Sequence, residues 1–219
     1  MALRLTNSNV LIVEGHDDKH SVIGLMEHHV DWPDGRENAP VYVDVGGSVD
    51  EILKRQYLSA QLKRAGLKSL GVILDGDMHP YGRYQRLRDI CLEHFPSMPE
   101  EMPTGGLVIT DHAGLRFGAW VMPDNQQGGD LETFLSRLVP GTAEVLWQHA
   151  VRSVDSARKM GATCRDCHLP KANLYTWLAW HDPPSQSPGI TLKMKVLDPH
   201  CPAAAGFVEW FKKLYALTA

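Results

Sequence analysis

Ser69-Leu70-Gly71-Val72-Ile73-Leu74-Asp75-Gly76-Asp77 is the stretch that decides the fold. Val72, Ile73 and Leu74 are branched residues without polar alternation, the pattern of a strand buried on both faces of a parallel sheet. Asp75 and Asp77 then fall at the strand's carboxyl end, where open α/β sheets place their ligands. Gly76 lets the chain bend so that both carboxylates can meet one ion. Two anions this close repel each other, and without a cation one of them should hold a proton. A hard divalent ion such as Mg2+, which prefers oxygen ligands and keeps several waters, resolves that conflict. The competing reading is turn chemistry, in which the two acids merely cap the next helix.

Upstream, Asn9-Val10-Leu11-Ile12-Val13-Glu14-Gly15 repeats the design of strand, carboxylate and sharp turn. A helix follows, with Val22, Leu25, Met26 and His29 at helical spacing and Asp17 as the expected N-cap. Asp18 is placed either to point back toward Glu14 or to complement the helix dipole. After a polar loop over 31–40, Val41 to Val45 reads as a second strand. Ser48 and Glu51 then form an expected capping box, opening a helix with Val49, Ile52, Leu53 and Tyr57 on its buried stripe and its end near Gly66. Beyond Asp77, a helix over 81–95 carries Arg83, Arg86 and Arg88, either a solvated face or a set of phosphate contacts.

Strands alternating with helices predict a mainly parallel, Rossmann-like sheet flanked by helices. Two further strands are expected over 105–109 and 115–122, then a loop containing Asp124 and a helix opening at Asp130-Leu131-Glu132. From residue 141 the pattern is helical, over 142–160, 169–180 and 204–217, with a loop over 183–188. The expected organisation is therefore a core over 1–140 and a helical C-terminal extension over 141–219 packed upon it.

The chain has 219 residues, 43% of them hydrophobic and 22% charged, which suits a globular protein with a sizeable core. A net charge of -4 argues against bulk attraction to nucleic acid or anionic membranes, so any such site is a local basic patch or draws on bound metal. Met1 to Asn7 lacks the apolar core of a signal peptide, no apolar run reaches spanning length, and four cysteines make no disulfide scaffold. These features predict a cytoplasmic protein that does not enter the membrane.

Val-Glu-Gly-His-Asp-Asp (13–18), followed by Leu-Asp-Gly-Asp (74–77), resembles the TOPRIM domain of topoisomerases, bacterial primases and OLD-family nucleases. Trp120-Val121-Met122-Pro123-Asp124-Asn125 and Gly129-Asp130-Leu131-Glu132 are similar to one branch, small stand-alone TOPRIM-like proteins related to the OLD nucleases. Lys171-Ala172, Trp177-Leu178 and the segment from Leu197-Asp198 to Phe207 extend that resemblance over nearly the whole chain. It implies a TOPRIM fold and a phosphodiester-cleaving site using Mg2+ or Mn2+. In that scheme Asp75 and Asp77 hold metal, and Glu14 ligates it or serves as general acid/base. Asp18 matches the acid that OLD-type enzymes add, Asp124 and Glu132 are further candidate ligands, and Lys171 steadies charge on the phosphate. The implied substrate is DNA or RNA, with a possible ATPase partner of the kind found beside such proteins in phage-defence clusters. The rival is a non-cleaving subunit that uses the same site to bind nucleic acid or nucleotide within an ATPase complex.

Two other motifs carry competing readings. Cys164-Arg165-Asp166-Cys167-His168 has the form of a c-type haem attachment site, but no export signal accompanies it, and a zinc site there would need ligands such as His200 or Cys201. The Asp-x-Asp motif also occurs in haloacid-dehalogenase-type phosphatases, where it opens the fold; here a strand–helix–strand–helix precedes it.

Overall fold

The computed structural model describes residues 7–33, 35 and 38–218. Five strands, β1 (Asn9–Val13), β2 (Tyr42–Val45), β3 (Ser69–Asp75), β4 (Leu107–Thr110) and β5 (Arg116–Met122), form one sheet in the order β2-β1-β3-β5-β4. β2, β1, β3 and β5 are mutually parallel, and β4 pairs antiparallel to β5 at the edge. The protein is thus mixed α/β with a mostly parallel sheet. β3 lies at its centre, and every residue from Ser69 to Leu74 is buried, as an unalternating apolar run requires. β1 and β3 are direct neighbours with Asn9 opposite Ser69 and Ile12 opposite Val72. That register brings Glu14 and Asp75 out of the sheet side by side.

The helices are α1 (His16–Met26), α2 (Val49–Ile52), α3 (Arg55–Leu62), α4 (Pro80–Cys91) and α5 (Leu131–Ser136). After them come α6 (Glu144–Lys159), α7 (Leu169–Leu178), α8 (Pro188–Lys193) and α9 (Ala205–Tyr215). Strand alternation sorts the core into two clusters. Val10, Ile12, Leu70, Val72, Leu74 and Val121 meet α2, α3 and α4 on one face. Leu11, Val13, Val43, Ile73, Trp120 and Met122 meet α1 and α5 to α9 on the other. Residues 141–219 therefore share one apolar cluster with the strands and supply four helices of a covering layer. Phe207, Trp210, Phe211 and Leu214 make the buried stripe of α9, each contributing about 1.5–3 kcal/mol by burial. Trp210 Nε1 donates to the Leu107 carbonyl at 2.9 Å, and Tyr215 Oη donates to the Val10 carbonyl at 2.8 Å. Gly71 is required beneath them, because a Cβ there would lie 2.8 Å from Leu11 and 2.9 Å from Leu214.

Several local expectations are corrected. The helix expected from Ser48 to near Gly66 is two helices, since the chain turns extended at Lys54 (ψ 125°) once Leu53 is buried. Ser48 caps nothing with its side chain, and Glu51 pairs with Lys54 in solvent at 2.6 Å. Asp17 is not the N-cap of α1; Gly15 occupies that position, and Asp18 accepts its N–H at 3.0 Å. His29 lies beyond the end of α1 at Met26. The loop expected over 183–188 gives way at Pro188 to α8, whose proline stands in the first turn, where a missing N–H costs nothing. Among the described residues no helix is long and apolar enough to cross a membrane. The expectation about the N-terminal segment falls largely on Met1 to Thr6, outside the described residues, as do Asp34, Arg36 and Glu37 of the loop over 31–40.

Candidate functional site

The carboxyl ends of β1 and β3 are joined by a side chain. Glu14 Oε1 accepts the Asp75 N–H at 2.8 Å, and Glu14 Oε2 accepts the Val49 N–H at 3.1 Å. One carboxylate thereby fastens the end of β3 and caps α2, satisfying the donor that Ser48 leaves open. Asp75 in turn accepts the Leu131 N–H at 3.1 Å, at the start of α5. Asp130 caps that helix through the Thr133 N–H at 2.8 Å. Each acid at a strand end thus holds the amino terminus of a helix from elsewhere in the chain, where the helix dipole favours negative charge.

In front of Asp75 opens a cavity of about 290 Å3, lined by His16, Asp17, Asp18, Asp75, Glu132 and Lys171, among others. Glu132 is buried, and Lys171 Nζ reaches it at 2.9 Å from a largely exposed position (side chains 9% and 53% accessible). That hydrogen bond raises the Lys171 pKa. Tyr175, one turn further along α7, donates to Asp17 Oδ2 at 3.1 Å and offers its ring to Lys171 Nζ, 5.6 Å away. Burial, followed by the charges of Glu14 and Asp18, pushes Asp75 from 3.8 to about 9. Burial raises Glu14 to about 7 against the opposing pull of the Asp75 N–H, with Asp18 adding to the rise. Asp18 reaches about 6 chiefly through burial, with Glu132 and Asp17 adding to it. Three carboxyls with too little cation beside them are strained electrostatically.

The remaining predicted residues stand apart. Glu14 lies behind Asp75 and does not line this cavity. Asp77 has left-handed backbone (φ 45°) and turns to Arg83, 2.6 Å from its carboxylate. Its N–H donates to the Gly129 carbonyl at 2.8 Å. Asp124 pairs with Arg137 at 2.8 Å and accepts the Gln126 and Gln127 N–H groups, contacts that hold its pKa low despite partial burial. Asn125 accepts the Val121 N–H at 2.8 Å and donates to Thr104, so the Asp124-Asn125 pair clasps the loop after β5. Asp124→Ala is expected to cost about 1–2 kcal/mol in urea unfolding at pH 7, a cost that shrinks as pH falls through the carboxyl's depressed pKa, and to leave divalent-metal binding by calorimetry unchanged.

Cys164 is half-buried, Cys167 exposed, and both are free thiols; Cys201 Sγ rests on the Arg137 carbonyl, and His200 lies edge-on to His28 and His29. Sequence reasoning missed Tyr175 and His16. Tyr175 was readable in principle, four residues from Lys171 on one helix face.

The donor set suits a hard divalent cation. Every candidate ligand is a carboxylate oxygen, and the raised pKa values of Asp18 and Asp75 mark charge that a cation would relieve. Among the described residues, no three His, Cys, Asp or Glu side chains are grouped so as to hold an ion by themselves. Mg2+ commonly needs only one or two carboxylates, with waters and phosphate oxygens completing its shell. Asp75 and Asp18, with Glu132 at the cavity wall, meet that requirement.

A family model described as a protein of unknown function (DUF3226) matches residues 8–216. No curated protein and no solved structure matches the chain. With nearly its full length covered by the model, the chain belongs to the DUF3226 family.

Proposed function

We propose that the protein is a Mg2+- or Mn2+-dependent phosphodiesterase acting on DNA or RNA, a TOPRIM-type nuclease related to the OLD enzymes. The observation that carries this reading is the cavity in which Asp75, Asp18 and Glu132 face a single lysine at the carboxyl ends of two adjacent parallel strands. Asp18 and Asp75 would hold the metal, with waters and substrate oxygens completing its shell and Glu132, paired to Lys171, at the cavity wall. The ion would supply positive charge that stabilises attacking and leaving oxygens during phosphodiester cleavage. Glu14 positions Asp75 through its backbone N–H and, near pH 7, exchanges a proton at its own carboxyl. Lys171, which pairs with Glu132, would turn to the phosphate and offset its charge. Arg83 lines a separate cavity with Asp77, from which its guanidinium would reach a backbone phosphate.

A second reading has specific support. Asp77 is already neutralised by Arg83, and Glu14 is committed to two backbone donors. A site so engaged suits a subunit that binds nucleic acid or nucleotide beside an ATPase and leaves the bond intact. The deciding assay is cleavage of single- and double-stranded DNA and structured RNA with Mg2+ or Mn2+, alone and with an ATPase encoded alongside. The nuclease reading expects cleavage by wild type, and a loss of about tenfold in Lys171→Ala, smaller than for a metal ligand. Wild type that cuts none of these, yet binds them as well as Asp75→Asn does, leaves the binding subunit standing.

A further inference from the structure

The residue after Asp77 is spent on nothing inside the protein. Met78 is 81% exposed, and Tyr81, in the first turn of α4, is 65% exposed. Large apolar side chains in that state, beside a candidate site, mark a surface for a ligand. The backbone beneath is fixed: Asp77 bridges to Gly129, and a side chain at Gly128 would collide with the Asp77 carbonyl. Met78 therefore stands as a ridge on anchored backbone between two open cavities, of about 460 and 580 Å3, that share only Asp77 and Met78. Besides the shared Asp77 and Met78, His79, Gly82, Arg83 and Arg86 line the first, and Gly128, Gly129, Asp130 and Cys167 line the second, so the basic groups lie on the first side alone. The Arg86 partner, Asp50, is an exposed carboxylate, so that ion pair yields to a phosphate at little cost.

We infer that this ridge is a platform for single-stranded nucleic acid, with unpaired bases lying on Met78 and Tyr81 and a backbone phosphate on Arg86. The inference rests on the proposed action at the neighbouring cavity and names its substrate class. Duplex DNA hides its base faces in the stack and offers only grooves and phosphates, whereas unpaired bases present the flat apolar faces that such side chains accept. A net charge of -4 argues against bulk attraction to a duplex. Stacking supplies what the charge lacks.

The test is fluorescence anisotropy with a labelled dT12 strand and with a duplex of equal length, both in EDTA so that binding is read without cleavage. Wild type is expected to favour the single strand by about tenfold or more. Tyr81→Ala and Met78→Ser should each weaken single-strand binding by about tenfold with unchanged melting temperatures, while Tyr81→Phe retains it. Arg86→Gln should lower the slope of log affinity against log salt by about 0.7. Equal or tighter binding of duplex, or single-strand affinity indifferent to Tyr81→Ala and Met78→Ser, overturns the inference. Absence of binding together with a dimer lost in Tyr81→Ala also overturns it, assigning the ridge to a second copy of the chain. Metal-dependent cleavage is followed separately: Tyr81-dependent single-strand binding without cleavage removes the nuclease reading alone, and cleavage confined to duplex removes this inference alone.

Discussion

If the proposed activity holds, Asp75→Asn is expected to reduce metal-dependent cleavage by about 100-fold or more and, in EDTA, to stabilise the protein above neutral pH. The two effects share one cause. Asp75 ionises at 3.8 when unfolded but at about 9 in place, so wild type must protonate it to fold at pH 8. Glu14 and Asp18 are raised likewise, to about 7 and about 6. Between roughly pH 4 and pH 9 these three groups bind more protons in the folded state than in the unfolded chain, so their contribution to stability is fully present below that window and is lost as pH rises through it. Asparagine is neutral in both states and still accepts the Leu131 N–H. At pH 8 in EDTA the variant should gain on the order of 3 kcal/mol, about 6–12 °C in melting temperature, with a flatter pH profile. Saturating Mg2+ or Mn2+ should raise the wild-type midpoint far more than that of the variant. Identical pH profiles for the two proteins in EDTA would refute the electrostatic account, whatever happened to cleavage.

Gly24→Ala, outside the candidate site, is expected to be the most damaging small substitution in α1. Helix propensity alone would make alanine stabilising by about 0.5–1 kcal/mol. The packing reverses the sign. A Cβ at Gly24 drives into the Gly189 carbonyl, and one at Gly189 would meet the His20 carbonyl carbon at 2.6 Å. Both obstacles are backbone, so the helices must separate, at about 3 kcal/mol or 6–12 °C in melting temperature. Gly189→Ala should cost a similar amount, and the double variant less than the sum, because the first separation makes room for the second. A rise in midpoint for Gly24→Ala would show that α1 and α8 do not meet this closely.

The strand-and-acid design was readable because it is local: apolar runs ending at Glu14 and Asp75 announce strands and their carboxyl ends. What Glu14 does there was not readable, since its two donors lie 35 and 61 residues away in sequence and only the register of β1, β2 and β3 assembles them. The same limit explains Ser48: its pattern is that of a cap, but a better acceptor arrives from another strand. Asp124 looked like a third strand-end acid; Arg137, thirteen residues on, claims it. The helix α8 was hidden by the prolines that precede it, and its glycine makes sense only with Gly24 opposite. Lys171 was singled out through family resemblance, and its burial partner Glu132 is 39 residues earlier on a separate helix.

Tyr215 holds a carbonyl of the first strand from 205 residues downstream, and this orders events during synthesis. Closing a loop so long brings an entropic cost that only finished packing offsets. Until α9 has left the ribosome, β1, β3 and β5 lack part of one covering layer, and Leu11, Ile73 and Trp120 lack their partners in it. At ordinary elongation rates that interval, from the completion of β3 to the arrival of α9, lasts roughly ten seconds. The nascent chain therefore carries an unfinished, sticky sheet throughout that interval. Its danger is association before completion more than unfolding afterwards.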